Sequence, residues 1–501
     1  MKPDNAAVGN LDNAVVRGFA WTAGAKWATQ LITWTSVFVT ARLVSPLDFG
    51  LLDMASFFVA VTGIAAEFGI CNAVLQMHEL DRRVFAQLHT VSMALATLAF
   101  GSCILAAPWL ADFFHARELK VLVVVDGVTF LITGYYSVSL GLLQKDMDYR
   151  RMSLSEAVGA IGQAVVTVAG AAMHFAYWAI MAGILVNRTT VALLTVYWKP
   201  VGFAVPRLKD LLAPLRLGRH VMVSRLAAVA FAQVDGVLVA RTMGGATVGA
   251  YRFALNLAAA PSQKIGALFM RVTGPLFANV QTDKAQVRRY YLIFTDVLAV
   301  AVGPLALGCA VLAPDLVALL LGRQWAQAAA PLRWLAVYGF LKNLDNLTDQ
   351  VLNSLRRTRF LMWMALFTTA VMTPAFIVAL RWGPGAVAAS WLILTPLTLA
   401  PPAIVLFRAI RLPLRDYLAT LGPAVCGIAG MIAGILLVAA PLPKNWPVIL
   451  RLAIQIAAGG AIYSGILLTV YRERMLRYLR FFRQLRRGIP LTPETAASGG
   501  A

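Results

Sequence analysis

Charge is what this chain of 501 residues has little of: Asp, Glu, Lys and Arg make up 13% of it, about half the ~25% of a soluble domain. Acid is the scarcer sign, with 23 Asp and Glu against 44 Lys and Arg. Cysteine occurs four times, as Cys71, Cys103, Cys309 and Cys426, always within apolar sequence and never as CxxC. That pattern excludes a disulfide framework and a thiolate metal site, and it reads the four as small core residues. The five histidines are scattered without HExxH or similar spacing, so no metal site and no resident cofactor are expected. No cleavable signal peptide is expected either, because the polar start MKPDNAAVGNLDNAVVRG runs into an apolar stretch too long for one.

What the chain has in abundance is hydrophobic sequence, 59% of all residues. Crossing the hydrocarbon core takes about 20 apolar residues as a helix. On that rule the sequence predicts an all-α polytopic membrane protein of fourteen transmembrane helices, near 18–41, 51–77, 84–110, 121–143, 154–173, 176–197, 220–240, 248–278, 291–321, 332–353, 360–380, 385–407, 417–440 and 448–471.

A net charge of +21 invites a nucleic-acid reading, but the bases lie mostly between the apolar runs. With the N-terminus inside, the cytoplasmic segments hold roughly three times as many Lys and Arg as the outer ones. Both termini are therefore expected in the cytoplasm, and nucleic acid is not expected as a partner. The basic, amphipathic stretch RERMLRYLRFFRQLRR in the tail 472–501 suits the anionic face of the membrane.

The loop at 198–219 separates six spans from six more, and an even number of crossings makes the two halves parallel repeats. ARLVSPLDFG at 41–50 returns as ARTMGGATVG at 240–249, in a register of 199 residues. Lys26 precedes Arg42 by the same interval as Arg225 precedes Arg241. The expected organisation is a six-helix bundle over 1–205, a second over 206–410, two extra spans over 411–471, and the tail.

An ionisable group in mid-span is expensive and normally faces a partner or a hydrated cavity. Arg42, Asp53, Arg241 and Arg271 fall near span ends, where they are expected to snorkel. Lys26, Arg225, Arg252, Lys264, Arg271 and Arg188 form a candidate cationic cavity for an anion with several oxygens, such as a diphosphate. Lys264 and Arg271 stand i,i+7 on one helical face. The competing reading is a set of internal salt bridges using Glu67 and Asp235. On the tenth span Lys342, Asp345, Asn346, Asp349 and Asn353 share one face. Lys342 can pair with Asp345 or Asn346, which leaves Asp349 as a candidate for proton or sodium coupling. A polar seam is the alternative.

TARLVSPLDFGLLDMASFF resembles the signature of Wzx-type polysaccharide flippases, in the multidrug/oligosaccharidyl-lipid/polysaccharide exporter superfamily. AEFGICNAVLQ, LLQKDMDYRRMSLSE, FAYWAI, FAQVDGVLVARTMGGATVGAYRFA and LLLGRQWAQAAAPLRWLA resemble further family segments in the same order, over about 15–410. The resemblance implies two six-helix bundles plus two helices. It also implies transport of an undecaprenyl-diphosphate-linked oligosaccharide across a bacterial inner membrane by alternating access, for exopolysaccharide, capsule or O-antigen synthesis. Polymerases and glycosyltransferases are the implied partners. By the same resemblance Lys26 stands where relatives often have Arg before Gln30, Glu67 replaces an Asp, and Asp235 falls on the family Asp of the seventh span. LKNLDNLTDQVLNSLRRTR departs from it by being more charged. The alternatives in the superfamily are a lipid II flippase and a cation-coupled drug antiporter, the latter disfavoured by so many mid-span bases. The remote alternative, a membrane polymerase or ligase, is disfavoured because this sequence has no large outer loop of the kind such enzymes carry.

Overall fold

A computed structural model describes residues 29–67, 74, 82–207, 229, 232–443 and 445–474. Lys26, Arg225, Cys71 and most of the basic tail lie outside them. The described chain is helical, with no strand in it. In order come α1 (29–43), α2 (Pro46–Glu67), α3 (Arg82–Phe114), α4 (Leu119–Lys145), α5 (Tyr149–Ala172), α6 (Tyr177–Trp198) and α7 (232–243). There follow α8 (Gly245–Val280), α9 (Lys284–Val311), α10 (Ala313–Leu320), α11 (Ala329–Ser354), α12 (Thr358–Ala379), α13 (Pro384–Ile393), α14 (Thr395–Ile410), α15 (Leu414–Ala439) and α16 (Val448–Thr469).

Ten described segments are long and apolar enough to cross a membrane. They fall on ten of the expected spans, and the protein is an all-helical, multi-pass membrane protein. The other four spans are helical wherever described, as α1, α7, α8 and α11. Among these, α7, α8 and α11 carry mid-span charge, which lowers their hydropathy.

Three boundaries differ from the hydropathy reading, each for a local reason. The second span opens at Pro46 rather than residue 51, because Ser45 and Asp48 form a capping box. Ser45 Oγ donates to Asp48 Oδ2 at 2.6 Å, and Asp48 N donates back to Ser45 Oγ at 3.3 Å. Pro46, which has no N–H to lose, takes the first helical position. The ninth span divides into α9 and α10 where Pro314 opens a new first turn. The twelfth divides at Leu394, ahead of Pro396.

The chain forms two compact units, Met1–Arg252 with Leu320–Trp325, and Phe253–Leu319 with Ala326–Ala501. In the first, α3 packs on α4 and α5 on α6 through small residues. A Cβ on Gly134 would press on Ala96 and Ser92, and one on Gly183 would collide with Thr167. Beyond α6, residues 201–207 form no regular element and pass beside α3, where Thr90 Oγ1 donates to Ala204 O at 2.8 Å. In the second unit the core gathers around Phe294, Leu298, Val302, Leu347, Val351 and Ile428. Gly427, Gly434 and Gly459 bring α15 and α16 together there, each lying against a side chain of the other helix.

Candidate functional site

The first unit contains a buried cluster of two carboxylates around one guanidinium. Arg252 Nε donates to Asp53 Oδ2 at 3.0 Å, and Nη1 lies 3.7 Å from Asp235 Oδ1. Nη1 also donates to Ala232 O at 3.4 Å, and Nη2 donates to Gln233 Oε1. Asp235 is further satisfied by Gly236 N and by Tyr251 OH, both at 2.7 Å. The Asp235 side chain is 1% exposed and that of Arg252 10%, whereas Asp53 keeps 30% open. Asp235 is therefore enclosed by its partners, and Asp53 is the more exposed of the two carboxylates. A Cβ on Gly236 would collide with the guanidinium, so only glycine leaves room for it on α7.

Hydropathy makes Asp53 an end anchor, yet it is the principal partner of Arg252. Its role is hidden by the late start that hydropathy assigns to the second span. Two signals in the sequence disclose it: the SPLD capping box, which starts the helix at Pro46, and the repeat register. Asp53 and Arg252 are 199 residues apart, the interval of the echo in the sequence, so positions in register in that echo bind one another.

The same register organises the helices around them. A Cβ on Gly50 would collide with the Gly245 carbonyl, and a Cβ on Gly249 with that of Pro46. Pro46 and Gly245, like Gly50 and Gly249, are 199 residues apart, so the crossing is reciprocal in that register. Where the first half has its Ser45 cap, the second has Gly244, at φ 82°.

A clasp lies next to this crossing. Trp325, fully buried, donates Nε1 to Ala41 O at 2.7 Å, and Gln324 Nε2 donates to the same carbonyl at 3.1 Å. The carbonyl at the end of α1 that the helix itself leaves open is thus taken up by side chains. The Trp325 ring meets Phe49 edge-on at 5.2 Å, and Arg42 Nε donates to Leu320 O at 3.4 Å. Its counterpart Arg241 bonds His115 Nδ1 at 2.5 Å and lies over Phe113. Of these two arginines, both expected as interface anchors, Arg42 bonds the last residue of α10 and Arg241 bonds His115 just after α3.

The remaining candidates are dispersed. Arg188 is exposed on α6 and lines a cavity with α2, α3 and α4. Glu67 lies on α2 and Lys264 and Arg271 on α8, but their side chains lie outside the described residues, as Lys26 and Arg225 do entirely. Arg252 and Asp235 form the salt bridge of the competing reading, with Asp53 as the additional partner. In the second unit Lys342 Nζ lies 2.5 Å from Asp345 Oδ2 and 3.7 Å from Asp349 Oδ2. Lys342 therefore holds both carboxylates and does not leave Asp349 alone. No group of His, Cys, Asp and Glu among the described residues is arranged to hold a metal.

The clasp and the crossing both fall within residues 39–330, which match a family model described as polysaccharide biosynthesis protein. That is more than half of the chain. The protein belongs to the polysaccharide biosynthesis protein family. The match agrees with the resemblance to Wzx-type flippases seen in the motifs. Among relatives of this family, the chain is 26% identical to the succinoglycan biosynthesis transport protein ExoT of Rhizobium meliloti (strain 1021), covering 97% of this chain and 98% of that one. It is 25% identical to the lipopolysaccharide biosynthesis protein WzxC of Escherichia coli (strain K12), over 71% of this chain and 74% of that one. The fold is that of the lipid II flippase MurJ in an inward closed conformation, with a TM-score of 0.75, 12% identity, and coverage of 91% of this chain and 100% of that one. This member of the family is a multi-pass membrane protein of polysaccharide biosynthesis.

Proposed function

We propose that the protein flips an undecaprenyl-diphosphate-linked oligosaccharide from the cytoplasmic to the periplasmic leaflet of a bacterial inner membrane, by alternating access. The observation that carries this reading is where the mid-span charges stand. Asp126, Asp235, Arg252 and Asp345 are buried among helices rather than turned to lipid. A helical membrane protein maintains such groups at a cost, to move or bind something polar. The family membership supplies the chemical class of that cargo.

In this reading the duplicated plan is two six-helix halves, 1–205 and 206–410, followed by the spans of 411–471. The reciprocal contacts at 46–53 and 245–252 support the duplication. With the N-terminus in the cytoplasm, as loop charge favours, the clasp of Trp325 on Ala41 lies at the periplasmic end of α1. The clasp then bars the outer side while the headgroup enters from the cytoplasm, and it opens for release. Lys26, Arg225, Lys264 and Arg271 serve as the cationic path in this scheme, alongside Arg188.

The test uses the full-length protein in sealed vesicles containing a lipid-linked oligosaccharide with a fluorescent sugar, and a membrane-impermeant quencher outside. Protein-dependent loss of the protected fraction is expected. Vesicles with and without protein that quench to the same extent refute the flippase reading.

A further inference from the structure

The face of α11 that carries Lys342, Asp345 and Asp349 has a second polar stripe beside it. Asn343, Asn346 and Gln350 repeat the spacing i, i+3, i+7 one residue further on, and all three are carboxamides. At one end the stripe is a seam with α8: Thr273 Oγ1 donates to Gln350 Oε1, and Gln350 Nε2 donates to Met270 O at 3.1 Å. Gly274 leaves room for that amide, since a Cβ there would lie 3.1 Å from Gln350 Nε2. At the other end the seam opens. A cleft of about 230 Å³ lies there, lined by Gln263, Gly266, Phe269 and Met270 of α8 and by Asn343 and Asn346 of α11, among others. All belong to the second unit.

Asn343 Nδ2 donates to Gly339 O at 3.1 Å, and its Oδ1 uses the space left by the missing side chain of Gly266, 2.6 Å from where a Cβ would stand. Asn346 and Gln263 are exposed, line the cleft and form no hydrogen bond with a described residue. Phe269 meets Phe294 edge-on at 6.1 Å, and with Met270 it gives the cleft an apolar wall. A polar side chain within a membrane segment is costly and normally faces a partner or a hydrated space. Helix packing accounts for Gln350, whose amide is bonded at both atoms, but not for Asn346 or Gln263. The described lining has no acid and no base. An anion calls for Lys or Arg and a cation for carboxylates, whereas a carboxamide offers donors and an acceptor to neutral hydroxyls.

We infer that this cleft is a specificity subsite for one uncharged sugar ring of the transported oligosaccharide. Gln263, Asn343 and Asn346 bond the ring's hydroxyls, and Phe269 and Met270 lie against its C–H face. The inference rests on the flippase reading for the source of the sugar, and adds the charge class of the ring that is recognised. A sugar ring has hydroxyls around its edge and C–H bonds on its faces, which suits a small pocket of apolar walls and a few placed polar groups. The cleft is smaller than the roughly 300–1,000 Å³ that encloses a drug-sized ligand, so it takes one ring and not the whole oligosaccharide. The diphosphate finds no counter-charge in its described lining, so the cleft discriminates between sugars and does not hold the linker.

The experiment compares lipids that differ only in the sugar. Full-length protein in nanodiscs is titrated with undecaprenyl diphosphate and with its glucose, galactose, N-acetylglucosamine and glucuronate derivatives. The variants are Asn346→Leu, Gln263→Leu and, as a packing control, Gln350→Leu. The wild type is expected to bind at least one neutral derivative more tightly than the bare lipid. Asn346→Leu and Gln263→Leu should each reduce that preference about fivefold, the size of one lost hydrogen bond. Their affinity for the bare lipid should stay within about twofold of the wild type. Gln350→Leu should lower the melting temperature and leave the preference intact. The inference is overturned by a wild type that prefers no neutral derivative, by a preference that survives both cleft variants, or by an equal loss in Gln350→Leu. Flipping of the same lipids is measured in parallel. Wild-type flipping with an unchanged preference in the variants refutes the subsite alone, whereas absence of wild-type flipping refutes the flippase reading.

Discussion

At the scale of the residue, Arg252 is the group on which most depends. Its removal leaves Asp235 buried without its counter-charge, and breaking a buried pair in this way costs about 3–5 kcal/mol. Arg252→Ala is therefore expected to lower the unfolding temperature in detergent sharply. Asp53→Asn is expected to lower it much less, because Asp53 is partly exposed and Arg252 retains Asp235. Equal losses in the two variants would show that the pair and not the guanidinium is the unit. Gly236→Ala places a methyl against the same guanidinium and should behave like Arg252→Ala; a wild-type melting curve would contradict the fit around Gly236. Outside the spans, Asp283 caps α9 by accepting bonds from Gln286 N and Ala285 N, and these bonds hold its carboxyl below the ordinary carboxylate range. A lowered folded-state pKa adds stability above the ordinary pKa and loses it as pH falls through the folded one. The stability gap between wild type and Asp283→Ala should thus be full at neutral pH and close in acid, as thermal melts across pH will show.

At the scale of the element, the crossing of α2 with the first turns of α8 depends on two glycines, each lying on a backbone carbonyl of the other helix. A side chain at Gly249 cannot be accommodated by a rotamer change, because what it meets is the backbone of Pro46 and Gly50. Gly249→Leu should abolish flipping and destabilise the protein. Gly101→Leu, at a position where a Cβ would meet nothing within 4 Å, should leave the fold intact and serves as the comparison. Equal melting temperatures for the two would refute the close crossing. Much of this is legible in the sequence: span positions from hydropathy, the register of the α2–α8 contacts from the 199-residue echo, and the SPLD cap from residue types. Pairing is not. Hydropathy averages over windows about as long as a span, so it blurs helix starts by several residues and turns Asp53 into an end charge. The Trp325–Ala41 bond joins positions 284 residues apart, and no local pattern reports a contact of that separation. The breaks at Pro314 and Leu394 have a visible cause, but proline within an apolar run also occurs in unbroken spans such as α9, which contains Pro304.

At the scale of the whole molecule, each unit contains the same charge inventory in different form. The first has Asp53 and Asp235 around Arg252, and the second has Asp345 and Asp349 around Lys342. In each, one carboxylate is almost wholly buried and the other is about a third exposed: Asp235 at 1% and Asp53 at 30%, Asp345 at 5% and Asp349 at 37%. With both carboxylates ionised, each cluster would carry one negative charge more than its cation offsets, beside the more exposed carboxylate. A bound proton or sodium ion would neutralise it, which is the arrangement an ion-driven transporter needs: a site whose charge balance differs between loaded and empty states. The second cluster is the better candidate for coupling, because Lys342 is bound to its own helix and leaves the first cluster to hold α2, α7 and α8 together. In sealed vesicles, flipping by the wild type is expected to rise when a proton or sodium gradient is imposed. Asp349→Asn removes the excess charge while keeping the shape, so it should retain basal flipping and lose the response to the gradient. Asp53→Asn should keep that response. A response surviving in Asp349→Asn would remove the coupling role from α11, and one lost only in Asp53→Asn would move it to the first cluster.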